Sequence, residues 1–171
     1  VSGDKTAFAY SDEISLPALQ DAAAATRAIA RAGRDARVPA VKRGTMRRLY
    51  DGLDPTQSLP DAEKVKLLER LERIARARDP RVVQVMASLA STYEVVLIAR
   101  SDGLMAADVR PLVRLSLQVI AEQNGRREQG SAGGGGRTDY AYFTDARLEE
   151  FATKAVDQAL VNLESRPAPA G

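Results

Sequence analysis

The chain has 171 residues, of which 44% are hydrophobic and 28% are charged, and its net charge is +2. These ordinary globular values suit one domain with a sizeable core, and the small charge excess predicts no strong attraction to nucleic acid or to an anionic membrane. The sequence contains no histidine and no cysteine. It therefore lacks the usual zinc ligands, the commonest general base and any thiolate nucleophile, so the chain itself is a poor enzyme candidate.

The ends and the composition predict a segment of a longer protein. The sequence opens at Val1 without an initiator methionine and closes on the linker-like "ESRPAPAG". We therefore expect a single domain at residues 1–165, followed by a linker at 166–171. No apolar run approaches the roughly 18–20 residues of a membrane span. The lack of cysteine fits a reducing compartment.

The first predicted elements are a short strand and a helix. Residues 5–11, "KTAFAYS", alternate small and aromatic side chains, which is typical of a strand. A helix follows, with Ser15 as its N-cap and Pro17 in its first turn. We expect its alanine-rich face to pack closely against a sheet; that face consists of Leu19, Ala22, Ala25 and Ile29.

Residues 34–57 show no periodicity and contain many helix and strand breakers, which indicates a loop. The loop carries a basic cluster formed by Lys42, Arg43, Arg47 and Arg48. Two interpretations stay open. The cluster is either a solvated surface or a site for an acidic partner.

A second helix is expected at residues 58–79, with Ser58 as its cap and Asp61 as the capping-box partner. Two strands follow, at 81–89 and 94–100, and a change in their apolar pattern predicts a turn near residues 90–92. "SDG" at 101–103 is a further turn.

The last predicted strands form a hairpin. The alternating stretch from residue 111 ends at Asn124-Gly125, the strongest short signal for a type I′ turn. Its partner strand should run from Arg126 to about residue 132. "TDYAYF" at 138–143 is expected to be extended, and a final amphipathic helix is expected at residues 144–165. Its buried stripe should consist of Leu148, Phe151, Ala152, Ala155, Ala159 and Leu163. The predicted fold class is α+β, an antiparallel β-sheet with helices packed on one face.

The glycine run lies between the last strand and the final helix; it consists of Gly133, Gly134, Gly135 and Gly136. A phosphate-binding loop would need a lysine and a hydroxyl after the last glycine, followed by a helix. Arg137, Thr138 and Asp139 stand there instead. The glycines are therefore either a loose surface loop or a backbone that lets another chain pass closely.

Three phrases together resemble the TldD/PmbA metalloprotease family, also called the modulator of DNA gyrase family. They are "VSGDKTAFAYSDEISLPAL", "YEVVLIARSDGLMAADVRPLVRLSLQVIAEQNGRREQGSAGGGGR" and "AVDQALVNLESRPAPAG". The likeness is closer to the TldD branch and covers nearly the whole chain. It indicates a fragment of the N-terminal domain, with residues 166–171 linking it to a missing catalytic domain.

The resemblance implies that the parent protein is a cytoplasmic zinc peptidase. Such a protein would cleave unfolded peptides and work as a pair of TldD-like and PmbA-like subunits. The family holds zinc through an HExxxH motif and a later cysteine. None of these residues occurs here, so no catalytic residue or metal ligand is assigned, and no cofactor is expected in this chain.

The resemblance also implies a substrate-handling and dimerising role for this segment. Glycines at a strand end would admit a peptide as an added strand, and Arg137 would hold a peptide carboxylate. We expect valine at Gly134 and Gly135 to weaken peptide cleavage without lowering the melting temperature. The alternative is a free-standing module that binds an acidic protein or nucleic acid through the basic loop.

Overall fold

The computed structural model describes residues 6–30, 42–43, 49–100, 102–166 and 168. The chain divides into two compact units. The first comprises Val1–Lys42 and Arg100–Leu104, and the second comprises Arg43–Ala99 and Met105–Gly171. The second unit contains the long strands and two of the three helices.

The first unit contains helix α1 (Leu16–Ala30), which begins where the sequence predicts. The Ser15 hydroxyl oxygen accepts the N–H of Ala18 at 3.4 Å, as an N-cap does. None of the described side chains of α1 is buried, and Leu19 is 55% exposed. The expected packing of this helix face against a sheet stays a prediction.

The strand predicted at residues 5–11 is wrong for its described part, residues 6–11. Phe8 and Tyr10 stack with ring centroids 6.2 Å apart, and both are 80% exposed. Alternation makes a strand only where a neighbouring strand supplies hydrogen bonds, and no described strand pairs with this segment.

The sheet is antiparallel along its long strands and is built around one of them. Its strands are β1 (Lys42–Arg43), β2 (Val82–Ala99), β3 (Leu104–Gln123) and β4 (Arg126–Gly136). Strand β3 lies between β1 and β2, and it also pairs with β4. The β2–β3 register runs from Val82 opposite Ala121 to Ala99 opposite Met105. The β3–β4 register runs from Gln123 opposite Arg126 to Val113 opposite Gly136.

Two of the three predicted turns are confirmed. Asn124 and Gly125 have φ angles of 54° and 79°, as a type I′ turn requires. Gly103, with φ 86°, donates its N–H to the Arg100 carbonyl at 3.0 Å. The turn near residues 90–92 is wrong, because β2 is continuous there and Ala90 and Thr92 stay paired with β3.

Helices α2 (Asp61–Arg78) and α3 (Asp145–Glu164) pack against each other, α2 against β2 and α3 against β4. The predicted fold class is therefore confirmed. The N-cap of α2 is Pro60 and not Ser58, because Ser58 donates its hydroxyl to the Pro55 carbonyl at 3.0 Å. The largest fully buried side chains of the core are Leu71, Leu115, Leu117, Leu148, Val113, Val119, Val156, Pro55 and Pro111.

A 3₁₀ helix (Tyr140–Tyr142) stands where an extended segment was predicted. The Asp139 carboxylate accepts the N–H of Ala141 at 3.0 Å and so caps this single turn. Tyr140 and Phe143 are both buried in the core. The cap that Asp139 provides therefore favours a helical turn here, although the aromatic pattern predicted an extended segment.

The helices cover only part of the β2–β3 hairpin. Near the Asn124-Gly125 end, β3 residues alternate between buried and exposed positions. Toward the other end, Val95, Leu97 and Ile98 are 69%, 64% and 55% exposed. Since Leu97 and Ile98 are neighbours and point to opposite faces, β2 carries exposed apolar side chains on both faces at this end.

Candidate functional site

The glycine run lies inside β4 and not in a loop. Gly133, Gly134, Gly135 and Gly136 pair with Ser116, Leu115, Arg114 and Val113 of β3, in that order. The strand is therefore longer than the predicted partner strand, which ended near residue 132. The interpretation of these glycines as a loose surface loop is wrong, because each has a defined partner in the ladder.

Every second residue of β4 directs its backbone groups away from β3. In an antiparallel ladder, a residue either exchanges both hydrogen bonds with its neighbour or points both groups outward. Gln123 and Arg126 close the two-residue hairpin, so the even-numbered residues of β4 bond to β3. The odd-numbered ones, including Gly133 and Gly135, therefore carry outward N–H and C=O groups.

Side chains of α3 cap the first part of this outward edge. The Asn162 amide donates to the Gln129 carbonyl at 2.9 Å. The Gln158 side-chain oxygen accepts the N–H of Ser131 at 2.8 Å. These polar residues were missed from the sequence, although they lie four residues apart, beside the buried stripe of the helix.

The edge is open where the glycines begin. Among the described residues, no hydrogen-bond partner faces the outward N–H and C=O groups of Gly133 and Gly135. The edge of β4 therefore changes from capped to open between Ser131 and Gly133. An open edge of this kind is a template for an added strand.

Glycine is required here because β4 lies very close to β3. A Cβ atom on Gly135 would overlap the Val113 carbonyl oxygen and lie 2.9 Å from the carbonyl carbon. A Cβ atom on Gly133, whose φ is +156°, would overlap the Leu115 carbonyl oxygen. This geometry argues against the expectation that valine at residues 134 and 135 leaves the melting temperature unchanged, since the substituted strand must shift.

The other two glycines face the helices and are less constrained. A Cβ atom on Gly134 would lie 3.0 Å from the Phe151 ring, and one on Gly136 would make ordinary 3.5 Å contacts with Thr138 and Tyr142. The run therefore contains two positions, Gly133 and Gly135, that no side chain can occupy without displacing backbone.

Arg137 follows the open edge directly. Its guanidinium carbon lies 5.6 Å from the centre of the Tyr50 ring, a cation–π distance. Arg137, Leu49, Tyr50 and Asp51 line a shallow cavity of about 270 Å³. The structure thus places the predicted carboxylate ligand beside the edge, at the end of the glycine run.

A second cavity of about 560 Å³ lies on the face of the sheet away from the helices. It reaches Gly133, and it had no counterpart in the sequence analysis. The sequence signal for this cavity is the set of polar residues that alternate with apolar ones along the strands. Such polar residues are usually interpreted as simply exposed to solvent. Its lining includes Ser88, Arg114, Ser116, Gln118 and Ser131.

The residues present do not fit a catalytic metal site. The sequence has no histidine or cysteine. Within the described ranges, no group of three or more acidic residues is placed to hold a metal ion.

The described helices include none that is long and apolar enough to cross a membrane.

The predicted basic cluster falls largely outside the described residues. Lys42 and Arg43 form the short strand β1, and only their backbone is described. Arg47 and Arg48 lie outside the described residues. The hypothesis of a basic binding loop therefore stays a prediction.

The described chain is thus of the α+β class, with α2 and α3 packed against the sheet and a glycine-lined open edge on β4. Residues 54–163 match the family model for the PmbA/TldA metallopeptidase central domain. The chain therefore belongs to the PmbA/TldD metallopeptidase family. The family description places the segment in the central domain, whereas the resemblance alone indicated the N-terminal domain.

Relatives and a solved structure agree with this assignment. The chain is 46% identical to a metalloprotease TldD homolog of Haemophilus influenzae and 37% identical to one of Buchnera aphidicola subsp. Schizaphis graminum. In both cases the match covers the whole of this chain but only 37% of the relative. A Thermotoga maritima structure, described as a candidate modulator of a DNA gyrase, shares the fold with a TM-score of 0.67 at 20% identity. That match covers 94% of this chain and 36% of the other.

Proposed function

We propose that this chain is the non-catalytic, substrate-handling and dimerising domain of a TldD-like zinc metallopeptidase that cleaves unfolded peptides. The chain spans 37% of its TldD relatives, so the zinc ligands and the reacting groups would lie in the remainder of such a protein. A TldD-like or PmbA-like subunit would be the partner, and the absence of cysteine supports a cytoplasmic location.

The open edge of β4 carries the substrate-handling part of this proposal. Gly133 and Gly135 each offer one outward N–H donor and one outward C=O acceptor, and neither has a partner among the described residues. An extended peptide would satisfy these groups by adding as a strand beside β4. Because the recognition uses backbone atoms, it would tolerate many peptide sequences, as a peptidase for unfolded chains requires.

The neighbouring capped segment would fix where the peptide begins to pair. Gln158 occupies the outward N–H of Ser131 and Asn162 occupies the outward carbonyl of Gln129, so strand addition is favoured at the glycine end. Arg137, at that same end, would bind a carboxylate of the peptide through its guanidinium.

Amide exchange measured by NMR on this chain tests strand addition directly. With a soluble β-forming peptide present, the N–H groups of Gly133 and Gly135 should become protected. The N–H of Gly134 already bonds to β3 and serves as the internal control. A matched peptide with an N-methyl group at every residue, which blocks both of its edges, should give no protection. Equal exchange with and without the unmodified peptide would contradict the proposal.

A further inference from the structure

We propose that Arg114 gives this peptide-binding edge a preference for acidic side chains, at the peptide residue that pairs opposite Gly135. This inference rests on the proposed strand addition to β4 and adds a specificity to it. Its basis is an unpaired arginine, a cavity without acidic lining, and the missing side chain of a glycine between them.

Arg114 differs from the other arginines on the open face of the sheet. Arg110 donates to the Asp108 carboxylate at 2.9 Å, and Arg127 donates to the Glu122 carboxylate at 2.6 Å. Arg114 is exposed, and no carboxylate of the described residues lies within ion-pair distance of it. Its charge is therefore available to a group from another molecule.

The surroundings of Arg114 favour an anionic group with hydrogen-bond acceptors. The cavity of about 560 Å³ has Arg114 as its one charged residue among the described lining. Ser88, Ser116 and Ser131 add hydroxyl donors along its floor. A carboxylate is the side-chain group that matches one guanidinium and several hydroxyl donors.

The register places a peptide side chain within reach of Arg114. Arg114 stands opposite Gly135, and both lie on the open face. A peptide residue opposite Gly135 would continue the same row, two strands from Arg114 and about 10 Å away at a spacing of 4.8 Å per strand. Gly135 has no side chain to stand between them, so an extended glutamate and an extended arginine can meet across it.

Three host peptides that differ at one position test the preference. Glutamate, glutamine and lysine are scanned along an otherwise identical strand-forming peptide, and affinity is measured by NMR titration of the full chain. At the facing position, the glutamate peptide should bind about two- to five-fold more tightly than its glutamine isostere, which is the range of exposed ion pairs. The lysine peptide should bind most weakly, and added salt should reduce the difference.

Variants of the chain assign the effect to Arg114. Arg114→Gln should abolish the difference between glutamate and glutamine peptides, and Arg114→Glu should reverse the order in favour of lysine. Both variants should melt like the parent, because the side chain is exposed. Arg127→Gln is the matched control on the same face, and it should keep the preference.

The outcomes separate this inference from the proposed function. If Gly133 and Gly135 become protected while all three peptides bind equally, strand addition stands and the role of Arg114 is overturned. A preference that survives Arg114→Gln overturns it too. If no peptide protects these amides, both proposals fall.

Discussion

Gly130 of β4 lies directly beneath Ala155 of α3. A Cβ atom on Gly130 would overlap the Ala155 carbonyl oxygen and lie 2.6 Å from the Ala159 nitrogen. Ala155 and Ala159 are both fully buried. Small residues of the helix thus meet a β4 residue that has no side chain, and this close approach positions α3 so that Gln158 and Asn162 reach the strand edge.

Gly130→Ala should therefore destabilise the fold, because α3 must move away from the sheet. Overpacking of this kind typically costs about 1–3 kcal/mol. Denaturant unfolding measures the change. Gly52→Ala is the matched control, since nothing lies within 4 Å of a Cβ atom there, and it should leave the unfolding midpoint nearly unchanged. Equal midpoints for the two variants would contradict the close packing.

The four consecutive glycines should respond unequally to alanine. Gly135→Ala places a Cβ atom against the Val113 backbone and should lower the melting temperature clearly. Gly136→Ala makes only ordinary contacts at 3.5 Å and should be nearly neutral. A thermal melt of each single variant checks this. If all four alanine variants melt alike, the glycines act as a linker and the described pairing is wrong.

Acid should weaken the junction at the end of α2. Asp79 accepts hydrogen bonds from the Arg81 side chain at 2.9 Å and from its N–H at 2.8 Å, and these bonds lower the pKa of Asp79 from 3.8 to about 2. Because the folded-state pKa is the lower one, the stabilisation is fully present above pH about 4 and is lost as the pH falls toward about 2.

The measurement is the free energy of unfolding across that pH window. Between pH 4 and pH 2, the free energy of unfolding should decrease less in Asp79→Asn than in the parent chain. Arg81→Gln keeps the backbone donor but removes the guanidinium, so it should show most of the same reduction. A parent and an Asp79→Asn variant with parallel profiles between pH 4 and pH 2 would show that this carboxylate is not linked to folding.

Arg137 should distinguish peptides by their C-terminus. Arg137→Ala should weaken binding of a peptide with a free terminal carboxylate by about two- to five-fold, as for an exposed ion pair. Binding of the same peptide with an amidated terminus should be unaffected. The affinity of Arg137→Lys for the same peptide should lie between those of the parent and Arg137→Ala. Lysine keeps the positive charge but cannot donate two parallel hydrogen bonds to a carboxylate. An equal loss for both peptides would assign Arg137 to the packing against Tyr50 instead.

Short sequence patterns predicted those parts of the fold that depend only on residues close together in the sequence. Asn124-Gly125 is such a case, because positive φ angles suit these two residues wherever they occur. The buried stripe of α3 is another, since its spacing alone places Leu148, Phe151 and Ala155 on one face. The TldD/PmbA resemblance was carried by whole phrases, and the family match confirms it.

Other features depend on contacts between residues far apart in the sequence, and short sequence patterns could not predict them. Pro111 marked the start of a strand in the sequence, yet β3 begins at Leu104 and continues through it. Its nitrogen points away from β2, and the β4 ladder ends at Val113, so the proline removes no hydrogen bond from the ladders that β3 forms with β2 and β4. The open edge at Gly133 was likewise hidden, because it depends on how far the side chains of α3 reach.

The unequal lengths of strands and helices have a dynamic consequence. At about 3.3 Å per residue, the 18 residues of β2 extend roughly 60 Å, whereas the 18 residues of α2 extend only about 27 Å. Around Leu97 the exposed apolar side chains make few buried contacts, and segments of this kind open locally. The amides around Leu97 should therefore exchange with solvent through local opening, while those around Leu115 exchange only when the whole core unfolds.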